Sequence, residues 1–227
     1  MKTLIIVPAY NEGENIERVA NGLRDNFPQY DYIIVNDGSK DDTAEICRRN
    51  GYNFVSHPVN LGLAGAFQTG MCYALEHGYD AAVQFDGDGQ HNAEYIADML
   101  ALLNEGNNIV IGSRFVTEKK PHSLRMIGNR MIQLAIKLTT GKRITDPTSG
   151  MRLFDRGMIE RLAKSSDLGP EPDTVAFLIR KGAKVREAQV SMNERIAGES
   201  YLNLTRSMQY MLSMLTSILL LQWFRRG

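Results

Sequence analysis

Phe85-Asp86-Gly87-Asp88-Gly89-Gln90-His91 is the stretch best suited to chemistry: two carboxylates one residue apart, each followed by glycine, closing the apolar run Ala81 to Phe85. Carboxylates that converge on one point repel each other unless a cation lies between them, and all-oxygen donors favour Mg²⁺ or Mn²⁺. Asp86 and Asp88 are therefore metal candidates, with Gln90 or His91 available as a further ligand, and an ion so placed commonly bridges a nucleotide diphosphate. Gly87 and Gly89 allow a sharp turn and the close approach of a bulky ligand. Three other readings compete. Asp-Gly-Asp-Gly can be a plain solvated turn. An EF-hand alternation fails at its sixth position, His91 in place of Gly, and at its twelfth, Ala97 in place of Glu. A phosphatase-type nucleophile is disfavoured because the turn follows several expected strands and no Lys or Thr signature accompanies it.

The elements that must position this turn alternate. Thr3 to Pro8 reads as a buried strand, Asn15 to Asp25 as a helix with Ile16, Val19, Ala20 and Leu23 on one face, and Tyr32 to Val35 as the next strand. Asp41, Asp42 and Thr43 are cap candidates for a helix to Arg49, Asn53 to Val55 a short third strand, and Leu61-Gly62-Leu63-Ala64-Gly65-Ala66 opens a helix to about His77. Strand and helix in alternation imply a mostly parallel sheet, whose ligands bind at the carboxyl ends of strands. Pro8-Ala9-Tyr10-Asn11-Glu12, Asp37-Gly38-Ser39 and Asp86-Gly87-Asp88 all fall at such ends, so three loops share one crevice. Beyond the acidic turn, Tyr95, Ile96, Met99, Leu100 and Leu103 are spaced as the core face of a helix, and Ile109 to Ile111 is a fifth strand. Leu124 to Leu138 is a helix with Ile127, Met131, Leu134 and Leu138 on one face. Asp146-Pro147-Thr148-Ser149-Gly150-Met151-Arg152-Leu153-Phe154 is a polar loop turning into a strand, and Lys184 to Val190 is the last strand.

A chain of 227 residues, 43% hydrophobic and 23% charged, can bury a core as one domain with an appendage. Cys47 and Cys72 lie in expected helices without metal-ligand spacing and read as reduced, small apolar fillers. The four-residue apolar run after Thr3 is too short for a signal peptide, so a cytoplasmic location is expected. Net charge is zero but unevenly spread: residues 1–113 hold 6 Lys and Arg against 16 Asp and Glu, and residues 114–161 hold 11 against 4. That division suits a protein that grips a cation with one part and presents positive charge to an anionic partner with another. Nucleic acid is not expected as that partner, because no stacking aromatics interleave the basic residues. The tail from Tyr201 to Arg226 is strongly apolar but interrupted by Arg206, Gln209, Ser213, Thr216, Ser217 and Gln222, so an interfacial or partner-binding helix fits better than a span. Its Trp223-Phe224-Arg225-Arg226 ending suits a membrane surface, and the competing reading packs it in the protein's own core or a dimer.

Six motifs in order resemble those of family-2 glycosyltransferases with the A-type fold, particularly the branch of dolichol- and polyprenyl-phosphate sugar synthases. They are Val7-Pro8-Ala9-Tyr10-Asn11-Glu12, Val35-Asn36-Asp37-Gly38-Ser39, Leu61-Gly62-Leu63-Ala64-Gly65-Ala66, Asp86-Gly87-Asp88-Gly89-Gln90-His91, Gly112-Ser113-Arg114-Phe115 and Asp146-Pro147-Thr148-Ser149-Gly150-Met151-Arg152. The resemblance implies an α/β, Rossmann-like nucleotide-diphospho-sugar transferase domain over residues 1–200 and a C-terminal amphipathic helix over 201–227. It implies that Pro8, Ala9, Tyr10, Glu12, Asp37, Gly38, Gly62, Leu63, Asp86 and Gly87 hold a nucleotide sugar. Asp88 with Gln90 and Asp86 would hold Mg²⁺ or Mn²⁺, and Arg114, Arg125, Arg130 and Arg195 would meet phosphates. The expected activity is inverting transfer of a hexose from a UDP-sugar to undecaprenyl or another polyprenyl phosphate for cell-envelope glycan synthesis, at the inner face of the cell membrane. Should the acceptor be a sugar hydroxyl on a polysaccharide, Asp146, Glu171 and Asp173 are the base candidates. A non-catalytic nucleotide-sugar-binding subunit is the alternative of another class. A nucleotidyltransferase is disfavoured, since Pro8 to Glu12 lacks the glycine-rich loop with Arg and Lys that it would need. Two features depart from the relatives: Tyr201 stands where Lys often follows Ser200, and the multi-helix membrane region is missing, so a small membrane-protein partner or homo-oligomer is expected to complete the chain.

Overall fold

The computed structural model describes residues 1–121, 123–192 and 204–224, without the side chains of Leu124, Arg125 and residues 204–207. Seven strands form one sheet in the order β3-β2-β1-β4-β6-β5-β7. β1 (Thr3–Ala9), β2 (Asp31–Asn36), β3 (Phe54–Ser56) and β4 (Ala81–Gln84) run parallel. They are joined by α1 (Ile16–Asn26), α2 (Thr43–Arg49) and α3 (Gly62–Glu76). The first two crossovers move outward from β1 and the third returns to its other side, so the sheet's direction of growth reverses between β1 and β4. Such a reversal leaves a crevice beyond the strand ends, because the flanking helices leave on opposite faces.

α4 (Ile96–Asn104) leads to β5 (Ile109–Ser113), then α5 (Leu124–Thr140) to β6 (Arg152–Asp155). β6 inserts antiparallel between β4 and β5, and α6 (Arg156–Lys164), α7 (Pro172–Arg180), β7 (Val185–Gln189) and α8 (Leu204–Leu219) complete the chain.

Both faces of the sheet are covered. On β1, Leu4 and Ile6 enter one apolar cluster with α3, α5, α6, α7 and α8, while Ile5 and Val7 enter another with α1, α2 and α4. That alternation is the period of a strand buried on both sides, and it explains why β1 is apolar at nearly every position. α1 buries Ile16, Val19, Ala20 and Leu23, the face its spacing predicts. α8 sends Met214 and Ile218 into the core and leaves Met208, Leu212 and Leu219 exposed, so its outward face is itself partly apolar. Among the described residues no helix is long and apolar enough to cross a membrane. Cys47 and Cys72 are free thiols, and burial pushes that of Cys47 up to about 11.

Candidate active site

Three strand ends meet at the crevice. The β1–α1 loop is clasped to the β2–α2 loop: the Asn11 amide donates to Ser39 Oγ at 2.9 Å, Glu12 N–H to Thr43 Oγ1 at 2.9 Å, and Gly13 N–H to Asp41 Oδ2 at 2.9 Å. Asn11 itself takes a left-handed backbone, φ 56°, and its side-chain oxygen accepts from Lys40 N–H at 2.8 Å, which compensates that conformation. Pro8 and Ala9 close β1, Tyr10 and Glu12 follow them, and Asp37 and Gly38 follow β2. Gly62 and Leu63 form the first turn of α3 at the rim, where Leu63 is exposed.

The acidic turn follows β4 and lies against these loops. A Cβ on Gly87 would fall 3.0 Å from the Pro8 carbonyl, so glycine lets the two strand-end loops touch. Asp88 is buried, and its Oδ1 accepts from the Gln90 amide at 3.0 Å, which curls the turn back on itself. His91 braces the turn. Its Nδ1 accepts from Asp86 N–H at 2.9 Å and its Nε2 lies 3.5 Å from Asp86 Oδ2, with the ring buried edge-on to Phe85. Because a backbone N–H can only donate, Nδ1 is the acceptor, and this nitrogen is already used within the turn. Of the two ring nitrogens of His91, a further ligand candidate, Nδ1 is thus committed and Nε2 faces the Asp86 carboxylate. Asp86, Asp88 and the Gln90 amide remain as oxygen donors within five residues. Among the described residues no group of three His, Cys, Asp or Glu side chains is arranged to enclose a metal. Two carboxylates and one amide suit a small hard cation that completes its shell with phosphate oxygens and water, the habit of Mg²⁺, so the donor set fits the expected ion.

The loop from Asp146 to Met151 ties the far strands to this turn. A Cβ on Gly150 would fall 2.6 Å from Asp86 Oδ2, so the Asp86 carboxylate lies directly over that glycine. Ser149 Oγ donates to the Gly112 carbonyl at 2.5 Å, joining the loop to the end of β5. Asp146 is fully buried and holds Arg114 through two parallel bonds, from Nε at 2.6 Å and Nη2 at 2.9 Å. Asn129 Nδ2 adds a bond to Asp146 Oδ1 at 3.1 Å, and Lys120 bonds in turn to Asn129 and Gln133. Glu187 of β7 accepts from the amides of Thr145 and Asp146 at 2.7 and 2.9 Å. This network holds the guanidinium side-on, 5.1 Å from the centre of the Phe115 ring, and leaves Arg114 Nη1 with no hydrogen-bond partner among the described residues.

Of the base candidates, Asp146 is engaged as above. Asp173 is buried, with Oδ1 accepting from Thr174 N–H at 2.9 Å and Oδ2 from Ser217 Oγ of α8 at 2.5 Å. Glu171 is partly exposed at the start of α7, its carboxylate lying over Gly169. Arg130 is exposed and borders a cavity of about 560 Å³ that Lys119, Lys120 and Arg143 also line. Burial pulls the Lys120 ammonium below its ordinary pKa. Arg125 lies on α5 with its side chain undescribed, and Arg195 and Tyr201 fall outside the described residues.

Several residues of the network were not singled out in the sequence. Asn129 is one polar residue in an amphipathic helix, and Glu187 lies between exposed Arg186 and buried Ala188 on an edge strand, so neither carries a local signal. His57, which hydrogen-bonds Asp37 at 2.8 Å, sits at a strand end before Pro58, the one place where a sequence reader could have asked about it.

Solved structures share the fold. A mannosyltransferase from Pyrobaculum calidifontis in complex with GDP-Man and Mn²⁺ superposes with a TM-score of 0.68 at 20% identity, over 100% of this chain and 65% of that one. Glucosyl-3-phosphoglycerate synthase from Mycobacterium tuberculosis, in complex with Mn²⁺, UDP and glucosyl-3-phosphoglycerate, superposes with 0.63 at 19% identity, over 96% and 79%. Among curated relatives, an undecaprenyl-phosphate mannosyltransferase from Micrococcus luteus is 30% identical over 213 residues, spanning 88% of this chain and 87% of its own. A UDP-N-acetylglucosamine–dolichyl-phosphate N-acetylglucosaminyltransferase from Methanococcus voltae is 34% identical over 182 residues, 70% of this chain and 72% of its own. Residues 4–163 match the model of Glycosyl transferase family 2, and that match takes in the crevice from Pro8 through the Asp86 turn to the Asp146 loop. With strand ends, acidic turn and Arg114 brace all inside or bordering that span, the chain belongs to Glycosyl transferase family 2 and is a glycosyltransferase.

Proposed function

We propose that this glycosyltransferase moves a hexose from a UDP-sugar to undecaprenyl phosphate or a related polyprenyl phosphate, with inversion, at the inner face of the cell membrane. The observation that carries the reading is the Asp146–Met151 loop, which places Asp86 over Gly150 and fixes Arg114 through Asp146. One loop thus sets a carboxylate pair for the donor diphosphate beside a guanidinium for a phosphate. Relatives that act on undecaprenyl and dolichyl phosphates match over most of their own length, which supports a lipid phosphate acceptor.

Asp86, Asp88 and Gln90 would hold Mg²⁺ or Mn²⁺. When bound, the cation neutralises charge that develops on the departing nucleoside diphosphate, worth several kcal/mol without any proton transfer. Pro8, Tyr10, Glu12 and Asp37 would hold the nucleoside, and Arg114 with Arg130 would face the acceptor phosphate. A guanidinium fork suits that oxyanion, and Asp146 prevents it from turning away. A phosphate monoester, with its second pKa about 6, is already largely ionised near neutrality and needs no strong base. The state of the carboxylates agrees: Asp146 and Asp173 are both buried and hydrogen-bonded.

Incubation of the full chain with Mn²⁺, radiolabelled UDP-hexoses and polyprenyl phosphate tests this. The expected result is an organic-soluble, labelled product that falls by about a thousandfold in Asp88→Ala, the scale of a lost charge-stabilising contact at a reacting centre. Label appearing only in an aqueous glycan would remove the lipid acceptor and move attention to Glu171 as a base. Donor and metal binding without turnover, even of donor hydrolysis, would leave a binding subunit.

A further inference from the structure

α1 reaches the acidic turn through one side chain. A Cβ on Gly89 would fall 2.8 Å from both Cζ and Nη1 of Arg18 and closer still to Nη2, so the forked end of the guanidinium occupies the room that a side chain at 89 would take. Gly89 is buried beneath this fork, although Arg18 as a whole is exposed. Its φ of 76° lies in the left-handed region, so glycine is needed here both for the backbone and for the notch. From the notch, Arg18 Nη2 lies 3.4 Å from the Asp88 carbonyl oxygen and 3.5 Å from Asn15 Oδ1, two long bonds shared by one nitrogen. Asn15 is buried and its Nδ2 donates to Glu12 Oε2 at 2.9 Å, which ties the arginine to the loop after β1.

Gly89 stands between two of the expected metal donors, Asp88 and Gln90. A glycine is the softest joint a turn can have, and rotation there would spread the Asp88 carboxylate and the Gln90 amide apart. His91 and Gly150 steady the Asp86 end of the turn, and the fork in the notch steadies the other. How far such a turn can open decides which ion suits it. Mg²⁺ takes its oxygens at about 2.0–2.1 Å in near-ideal octahedral geometry, whereas Ca²⁺ takes about six to eight of them at about 2.3–2.6 Å with less demand for order.

We propose that Arg18 is a positioning residue of the metal turn: seated in the Gly89 notch, it holds the turn at the span of a small cation and so makes the site prefer Mg²⁺ or Mn²⁺ to Ca²⁺. This rests on the reading above in which Asp86, Asp88 and Gln90 hold the ion. The role is separable from charge. A guanidinium near the turn repels any cation there, so its loss would by charge alone tighten binding. Mn²⁺ and Ca²⁺ carry the same charge, and the repulsion therefore largely cancels in the ratio of their affinities, whereas the span of the turn does not.

The test titrates the full chain with Mn²⁺ in the presence of UDP, reads free Mn²⁺ by electron paramagnetic resonance, and displaces the bound ion with Ca²⁺; Asp88→Ala serves as the blank for ions held by UDP alone. Wild type should bind Mn²⁺ at least about tenfold more tightly than Ca²⁺. Arg18→Ala should weaken Mn²⁺ binding by about tenfold, the scale on which partners that orient metal ligands act, and lower the Mn²⁺-to-Ca²⁺ ratio by about threefold or more. Arg18→Lys, which keeps the charge but not the fork, should recover only part of that ratio. A merely structural arginine would lower the melting temperature and leave the ratio where it was. Wild type holding Ca²⁺ as tightly as Mn²⁺ would overturn the proposal, and so would an unchanged ratio in folded Arg18→Ala. Mn²⁺ binding no stronger in wild type than in the Asp88→Ala blank would instead remove the metal reading itself, an outcome distinct from a bound ion of the wrong preference.

Discussion

Arg114 and Asp146 show how much a single pair can decide. The carboxylate is fully buried and the guanidinium reaches it with two short bonds, so neither charge is easily given to water. Removing one partner of a buried pair strands the other, at a cost of about 3–5 kcal/mol. Arg114→Ala should therefore reduce urea-unfolding stability by about that amount as well as activity, and Asp146→Asn, which strands the guanidinium and turns an amide N–H₂ toward its donors, should cost a comparable amount. Arg114→Lys separates the two tasks. A point charge can neutralise Asp146 but cannot bond it in parallel and still keep a further N–H free. Near-normal stability with transfer reduced at least about tenfold is the expected result. Equal stability in Arg114→Ala and wild type would show that the pair does not brace the site. Arg152 is a different case: it is fully buried, bonds the carbonyls of Pro147 and Pro170, and is pulled below its ordinary pKa by burial. It fastens the loop before β6 to the turn before α7.

At the scale of elements, α5 and α8 are the pair whose surface is unlike the rest. α5 turns Ile127, Met131, Leu134 and Leu138 outward, each 47–71% exposed, and α8 adds exposed Met208, Leu212 and Leu219 beside it. The two helices touch where Gly128 meets Met211, a contact that a side chain at 128 would block. Lys119, Lys120, Arg130 and Arg143 line the nearby cavity, an apolar face with a cationic edge that suits an anionic lipid surface. Deleting the tail is a poor test of this, because Met214 and Ile218 are core and Ser217 bonds Asp173. Leu134→Glu combined with Leu212→Glu changes only exposed positions. Co-sedimentation with anionic vesicles should fall by about tenfold while the melting temperature holds, given roughly 1.5–3 kcal/mol for each large apolar side chain withdrawn from an apolar phase. Unchanged sedimentation would show that this face does not bind such vesicles. The same helices mark where sequence reading stops. The α1 stripe, the first four strands and the acidic turn are local patterns, and all could be read from spacing. That α5's apolar stripe faces outward could not, because one helix shows two apolar sides, Ile132, Ala135 and Ile136 against Ile127, Met131, Leu134 and Leu138, and only the sheet decides which is covered. The antiparallel insertion of β6 is equally invisible: Arg152-Leu153-Phe154 reads as a strand in either direction, and its partners β4 and β5 lie far away in sequence. His57 stayed hidden because its bonds need Asp37 and Thr69 brought together from two other elements.

Over the whole molecule, the crevice is assembled from both halves of the chain, and this sets how ligand binding should register in stability. The ends of β1, β2 and β4 carry Asp37, Asp86 and Asp88, while β5, β7 and the loop before β6, held together by Glu187 bonding Thr145, carry Arg114; the contact of Gly150 beneath Asp86 joins the two sides. Two carboxylates in one turn repel when no cation is near, and a diphosphate brought beside them alone adds more negative charge. Cation and nucleotide should therefore bind cooperatively, each supplying what the other's site lacks. A ligand that binds only the folded state stabilises it by about 2.7 kcal/mol at a hundredfold excess over its dissociation constant, so the coupling can be read as a melting shift. Mn²⁺ alone and UDP alone should each raise the melting temperature slightly, and the two together by clearly more than the sum. EDTA should cancel the surplus along with transfer, and Asp88→Ala should show the UDP shift unchanged by Mn²⁺. Cooperativity of this origin depends on charge at the turn and not on a general tightening of the fold, so Asp80→Asn, at the opposite end of β4 where the carboxylate accepts from the Lys2 amide, should leave the surplus intact. An additive pair of shifts in wild type would mean that the ion and the diphosphate do not share the Asp86–Asp88 turn, and the assignment of that turn to the donor would have to be abandoned.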